Sequence, residues 1–265
     1  VRALPAAWTR APDPGTTDTN NATDTGTSRG STNYGFGQQC WRYADYAGWA
    51  TDPDLVIIYC QGWSFASPIF YATIVDNIFQ QSRTAYGTSV VMPIDYGDGP
   101  VGLTHVKAAG DYVKSFWGAS QPFIYAGHSA GGQWAGIAAH HHGVPMVLAN
   151  TIHRWENMST DGDYGTAWNT AAANLGVTRG EEKPWWDIPY GPDSPPVYII
   201  GSDLDETVHP DCHYNIVARL SKRNIPFHYD LVDTGTVGQR THSGFWDQVN
   251  MDTLRDWFDN VARAQ

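Results

Sequence analysis

From Asp54 onward the sequence alternates short apolar runs of strand length with longer segments of helical period, and this rhythm constrains the fold more than any other feature. Strands are expected at Leu55–Tyr59, Ser89–Met92 (ended by Pro93), Phe123–Tyr125, Val144–Leu148, Val197–Ile200 and Phe227–Val232. Helices are expected at Ser67–Ser82, Gly102–Trp117, Gln133–His142, Asp211–Lys222 and Phe245–Arg263. Such alternation implies an α/β fold, a mostly parallel sheet with helices on both faces. The loops at the carboxyl ends of its strands are then where function belongs. The chain has 265 residues, 42% of them apolar, enough for one domain of this kind over 34–265. Residues 1–33 are rich in Thr, Asp, Asn, Gly and Pro without period and read as an irregular surface arm.

One stretch interrupts the alternation. Residues 151–195 lie between two strands and carry Trp155, Trp168, Trp185 and Trp186. Long insertions without an element of their own usually have a task. The expectation is a lid over a binding pocket, with Trp155, Trp185 and Trp186 against the substrate; the alternative is a packed excursion held by its aromatic rings.

The sequence carries 27 acidic and 16 basic residues, a formal charge of −11. That field argues against nucleic acid or an anionic membrane as partner and favours a neutral or cationic small molecule. No apolar run reaches the ~18 residues of a membrane span. Val1–Arg10 lacks the basic start and apolar stretch of a signal peptide, but the chain does not begin with Met. The sequons at Asn21 and Asn157 and the low charged fraction make secretion the expectation, with a cytoplasmic location as alternative. Cys40, Cys60 and Cys212 allow at most one intrachain bridge, and Cys60 reads as a buried thiol at a strand end. No spacing suggests a metal site, and no glycine-rich phosphate or nicotinamide motif follows a strand, so no cofactor is expected.

Chemistry enters at Gly127-His128-Ser129-Ala130-Gly131, which fits G-x-S-x-G between a β-like Phe-Ile-Tyr and a helix-like Gln-Trp-Ala-Gly-Ile-Ala-Ala. In that context the glycines allow a sharp strand-to-helix turn that lifts a serine hydroxyl above the sheet edge. A nucleophilic serine needs a base, and the base needs an orienting acid. Downstream, the loop after Val197–Ile200 offers Asp203, Asp205 and Glu206, and the loop after Phe227–Val232 offers His242. The remaining histidines have quieter readings. His140, His141 and His142 end a helix before Gly143, where cations suit the helix dipole, and His128 belongs to the serine turn.

Over residues 54–263 this arrangement resembles the α/β-hydrolase superfamily, in its esterase, lipase and formamidase branches. In that superfamily the acid sits in a D-x-x-V-x-P turn, which Asp205-Glu-Thr-Val208-His-Pro210 matches, with Asp203 as rival and Glu206 a third candidate. The base lies after the last core strand, where His242 stands. The resemblance implies a Ser129–His242–Asp205 triad, with oxyanion donors from the backbone N–H of Ala130 and from the loop after Leu55–Tyr59. Related branches carry H-G-G-x in that loop. This chain has Tyr59-Cys60-Gln61-Gly62-Trp63-Ser64 instead, so Trp63 N–H is the expected second donor and Ser64 N–H the weaker one. The expected reaction is cleavage of an apolar or aromatic carboxylic ester or lactone. Amide cleavage of formamidase or peptidase type, thioester cleavage and a non-catalytic binding protein are the alternatives.

Overall fold

A computed structural model of the chain describes residues 54–60, 62, 102–154, 169, 187–232, 242 and 248–265, with the backbone alone at 27–28, 32–33, 39–40, 43–44, 89–94 and 99–101. The strands are β1 (Thr27–Ser28), β2 (Thr32–Asn33), β3 (Gln39–Cys40), β4 (Tyr43–Ala44), β5 (Leu55–Cys60), β6 (Ser89–Ile94), β7 (Phe123–His128), β8 (Met146–Ala149), β9 (Val197–Ser202) and β10 (Phe227–Val232). The helices are α1 (Gly99–Trp117), α2 (Ala130–His142), α3 (Asp211–Lys222) and α4 (Met251–Trp257), the last continuing as a wider π-helical turn over Phe258–Ala262. The expected helix at Ser67–Ser82, the arm at 1–33 apart from its strand fragments, and the tryptophans of the insertion lie outside the described residues.

The strands run in the order β1-β4-β6-β5-β7-β8-β9-β10, with β3 also joined to β6 and β2 to β3. From β6 to β10 all pairings are parallel, while β3 and β4 add antiparallel strands to β6. The chain leaves β5 for β6 on one side, then crosses back to β7 on the other. The direction of winding therefore reverses between β5 and β7, and the crevice at their carboxyl ends is the favoured place for a site.

Continuous apolar runs become central strands because both sheet faces are covered. Leu55–Cys60 is buried at every position. Val56, Ile58 and Cys60 face a core closed by Val106, Ala109 and Val113 of α1, Trp134 and Ala138 of α2, and Cys212, Ile216 and Leu220 of α3. Leu55, Ile57 and Tyr59 face a second core closed by Leu254, Trp257, Phe258 and Ala262 at the C-terminus. The period-2 alternation of β5 thus divides one strand between two cores. α2 is buried from Ala130 through Ala139, as a helix packed between sheet and further chain must be.

Several boundaries differ from expectation, each for a local reason. β6 does not stop at Pro93 but continues to Ile94, pairing Pro93 with Tyr59. Pro93 falls between the antiparallel registers at Val91 and Ile94, where no described partner requires its missing N–H. The C-terminal helix begins at Met251 rather than Phe245, because Asn250 takes an extended backbone and its side chain accepts the Thr253 N–H. Helix α2 begins at Ala130, three residues before the expected Gln133, directly after Ser129.

At the end of α2, His140 and His142 are held by hydrogen bonds. His140 Nδ1 lies 2.8 Å from the Gly136 carbonyl and its Nε2 3.1 Å from Ser194 Oγ. His142 Nε2 lies 3.0 Å from the Lys107 carbonyl, tying α2 to α1. Burial lowers the pKa of both rings. Gly143 does end the helix, at φ +70, with its N–H on the Ala139 carbonyl.

The two ends of the insertion meet. Ile188 N–H donates to the His153 carbonyl at 3.1 Å, Arg154 pairs with Asp187 at 3.6 Å, and the Tyr190 hydroxyl lies 2.7 Å from His153 Nδ1. Cys60 and Cys212 are both buried free thiols. Burial pushes the Cys60 thiol far above its ordinary range and Cys212 up to about 12. Among the described residues no helix is long and apolar enough to cross a membrane.

Candidate active site

β7 ends at His128 and α2 begins at Ala130, so Ser129 alone makes the turn between them. It does so at φ 56, ψ −129, a region an L-residue rarely enters without surrounding constraint. Its N–H donates to the Ala149 carbonyl at 3.0 Å, and its carbonyl accepts from Gly132 N–H at 3.1 Å and from the Thr151 hydroxyl at 3.1 Å. These bonds hold the turn in place. Gly127 is required by close approach: a β-carbon there would stand 2.6 Å from the Gly131 carbonyl oxygen and 2.7 Å from Gly132 Cα. The same logic puts Gly62, in the loop after β5, against the serine. A β-carbon on Gly62 would lie 3.3 Å from Ser129 Cβ and 3.0 Å from His128 Nδ1.

Ser129 Oγ lies 2.9 Å from His242 Nε2. On the other side of the imidazole, Nδ1 lies 2.8 Å from Asp205 Oδ2 and 3.0 Å from Oδ1. A carboxylate only accepts, so Nδ1 carries the proton and Nε2 is left to accept the serine hydroxyl. Asp205 is almost fully buried. Its charge is satisfied by more than the imidazole, since Oδ1 also accepts from Thr207 N–H at 2.7 Å and Val208 N–H at 2.8 Å. A buried carboxylate fixed by two backbone donors is a rigid orienter of the ring.

Asp203 has different surroundings. It is exposed, and its Oδ1 accepts from the Tyr214 hydroxyl. Asp205 both holds the turn and meets the histidine. Glu206 meets the histidine at its backbone, Oε2 accepting the His242 N–H at 3.1 Å.

Two residues given no role in holding the histidine by the sequence stand beside it. His128 Nε2 lies 2.5 Å from the His242 carbonyl, and the two rings are 4.7 Å apart. Burial, and secondarily the neighbouring His242, lower the His128 pKa to about 3. It is therefore a neutral ring whose Nε2–H donates. Asn150, at φ 42 just past β8, donates from Nδ2 to the same carbonyl at 3.4 Å and accepts the Ser202 N–H on Oδ1 at 3.0 Å. Only their position at a strand end hinted at this, because both contacts join residues far apart in sequence.

Of the expected oxyanion donors, Ala130 is the first residue of α2, where helical N–H groups have no acceptor within the helix. Trp63, Trp155, Trp185 and Trp186 lie outside the described residues, and Gly62 is the nearest described neighbour of Trp63. A second serine–histidine contact, Ser194 with His140, has a different character. Ser194 Oγ accepts the Gly191 N–H at 2.7 Å, and His140 is oriented by a helix carbonyl instead of a carboxylate. It is a turn tie.

Neither a scan against protein-family models nor a search of curated proteins finds a match to the sequence. Solved structures do match. A fungal esterase from Rhizomucor miehei superposes with a TM-score of 0.65 at 16% identity, covering 89% of this chain and 82% of its own. A carboxyl esterase from the mycorrhizal fungus Tuber melanosporum gives 0.63 at 16% identity, covering 85% and 83%. A lipase/esterase from Lactobacillus plantarum gives 0.60 at 17% identity, covering 88% and 96%. At such identities the likeness speaks for architecture, which agrees with the parallel sheet and its winding: this chain has the α/β-hydrolase fold.

Proposed function

We propose that the protein is a serine hydrolase that cleaves a carboxylic ester or lactone through an acyl-enzyme on Ser129. The observation that carries this reading is the continuous hydrogen-bond chain from Ser129 Oγ through His242 to the buried Asp205. It stands at a strained turn in the crevice where the sheet reverses its winding. The esterase and lipase names of the structural neighbours favour esters among acyl substrates.

In this mechanism His242 Nε2 takes the Ser129 proton as Oγ attacks the acyl carbonyl. Asp205 stabilises the imidazolium, and the backbone N–H groups of Ala130 and Trp63 receive the developing oxyanion. Collapse of the tetrahedral intermediate expels the alcohol, which takes its proton from Nε2–H. Water deprotonated by the same nitrogen then attacks the acyl group, and Ser129 leaves with the proton as the acid is released. Gly62 supports the assignment of Trp63, because its missing side chain brings the loop after β5 against the serine. The net charge of −11 favours an uncharged or cationic substrate, and Trp155, Trp185 and Trp186 would supply ring faces to an apolar or aromatic acyl group. Secretion remains part of the proposal, on the sequons and composition alone.

The test is a panel of p-nitrophenyl esters of graded chain length, aromatic esters and lactones, with matched amides and thioesters. It is run on the wild type and Ser129→Ala, alongside labelling by a fluorophosphonate. Turnover should fall by about four to six orders of magnitude in Ser129→Ala while the fold persists. Near wild-type hydrolysis by the variant refutes the proposal.

A further inference from the structure

We propose that His128 is a positioning residue that couples the base to the nucleophile, its Nε2–H holding the backbone carbonyl of His242 so that the imidazole stays aimed at Ser129. This inference rests on the reading of Ser129 and His242 as nucleophile and base.

His242 is held at both its ring and its backbone. Its ring is fixed at both nitrogens, by Asp205 and Ser129, but the ring can be aimed only if the backbone behind it is fixed as well. That backbone is tied at both peptide groups. Glu206 accepts its N–H, and its carbonyl receives Asn150 Nδ2 at 3.4 Å and His128 Nε2 at 2.5 Å. The His128 contact is the shortest of the three. It is also the one made by the residue joined directly to Ser129 by a peptide bond. Nucleophile and base, 113 residues apart, are thereby linked through one peptide unit and one hydrogen bond. A displacement at the end of β7 moves them together.

His128 suits this task in three respects. It is the last residue of β7, buried and paired with Ala149 of β8, so its own backbone is held by the sheet. Its other ring edge faces Gly62, where a β-carbon would stand 3.0 Å from Nδ1. Its neutrality matters as well. The ring lies 4.7 Å from that of His242, which becomes a cation during the reaction, and a second cation so close would oppose that step. Burial keeps His128 uncharged, so it offers a donor without a repelling charge.

The experiment compares His128→Phe, which keeps a ring but removes the donor, with His128→Gln, whose amide can reach the same carbonyl. The kcat and KM for p-nitrophenyl butyrate and the rate of fluorophosphonate labelling are measured for each, with melting temperatures as a check on folding. His128→Phe should lower kcat by about ten- to a hundredfold, the scale expected for a small misplacement of a catalytic group. KM should stay within about twofold and labelling should slow in parallel. His128→Gln should recover most of the loss. If His128→Phe does not fold, His128→Asn, polar but too short to reach, must show the same fall in kcat. Wild-type kcat and labelling in the donorless variant, or a Gln variant as impaired as Phe, overturns the positioning role alone. A wild-type protein that is not labelled, together with an active Ser129→Ala, overturns the hydrolase reading and this inference with it.

Discussion

The Thr151 hydroxyl fills the space beside Gly132 that a side chain would need, and from there it binds the carbonyls of Ser129 and Ala149. A glycine on α2, a threonine after β8 and the strained serine thus form one packed unit. A β-carbon on Gly132 would overlap Thr151 Oγ1 and stand 2.8 Å from Thr151 Cβ. Thr151 is buried and doubly bonded, so it cannot yield cheaply. Gly132→Ala should therefore destabilise the protein by about 1–3 kcal/mol, the usual range for overpacking a tight interior. Activity should fall with it, because the Ser129 carbonyl loses an anchor. Urea unfolding of the single variant and of Gly132→Ala with Thr151→Ala provides the check. The second change should restore part of the stability, and a wild-type midpoint for the single variant would contradict the packing described.

Asp203 and Asp205 stand two residues apart but in different surroundings, which separates their expected phenotypes. Asp205→Asn keeps the shape yet replaces an acceptor that fixes the His242 tautomer, and should lower kcat by about four orders of magnitude, as in serine proteases altered in this way. Asp203→Asn should leave kcat within about twofold, since its described contact is the Tyr214 hydroxyl at the surface. Ester hydrolysis by the two purified variants decides the matter. Comparable losses in both would mean that the acid has been assigned to the wrong side chain.

Stability should fall in mild acid. His128 and His153 are buried, with pKa lowered to about 3 mainly by desolvation, against about 6.5 in the unfolded chain. Between those values the unfolded state binds more protons than the native state. Their contribution is therefore intact above about pH 6.5 and is lost as pH falls toward 3. Two such histidines lower the unfolding free energy by about 2.5–3 kcal/mol between pH 7.5 and 5.5. His140, His142 and His213, also lowered by burial, act in the same direction. Urea unfolding at the two pH values measures the difference, and equal stability at both would contradict neutral burial of these rings.

The strand runs and the G-x-S-x-G turn were readable along the chain because each is a local pattern. A strand buried on both faces must be apolar throughout, and a turn that abuts the next helix must lack side chains at fixed positions. The ranges of α3 and β10 agree with Asp211–Lys222 and Phe227–Val232 as read from the sequence. The starts of α2 and α4 were less legible, since the turn at Ser129 and the Asn250 cap rest on hydrogen bonds that periodicity does not register.

Contacts between distant segments were settled by the folded chain. The turn after β9 directs the carboxylate of Asp205 inward, toward two N–H groups and a ring 37 residues away, and leaves Asp203 exposed. The placement of His128, Asn150 and Glu206 around the His242 backbone likewise depends on strands β7, β8 and β9 lying side by side. The hydrogen bonds of His140 and His142 also depend on Ser194 and the Lys107 carbonyl, which other segments bring against α2. Backbone preference and hydrophobic period act over a few residues, whereas the environment of a charge or a donor is set by whichever part of the chain arrives beside it.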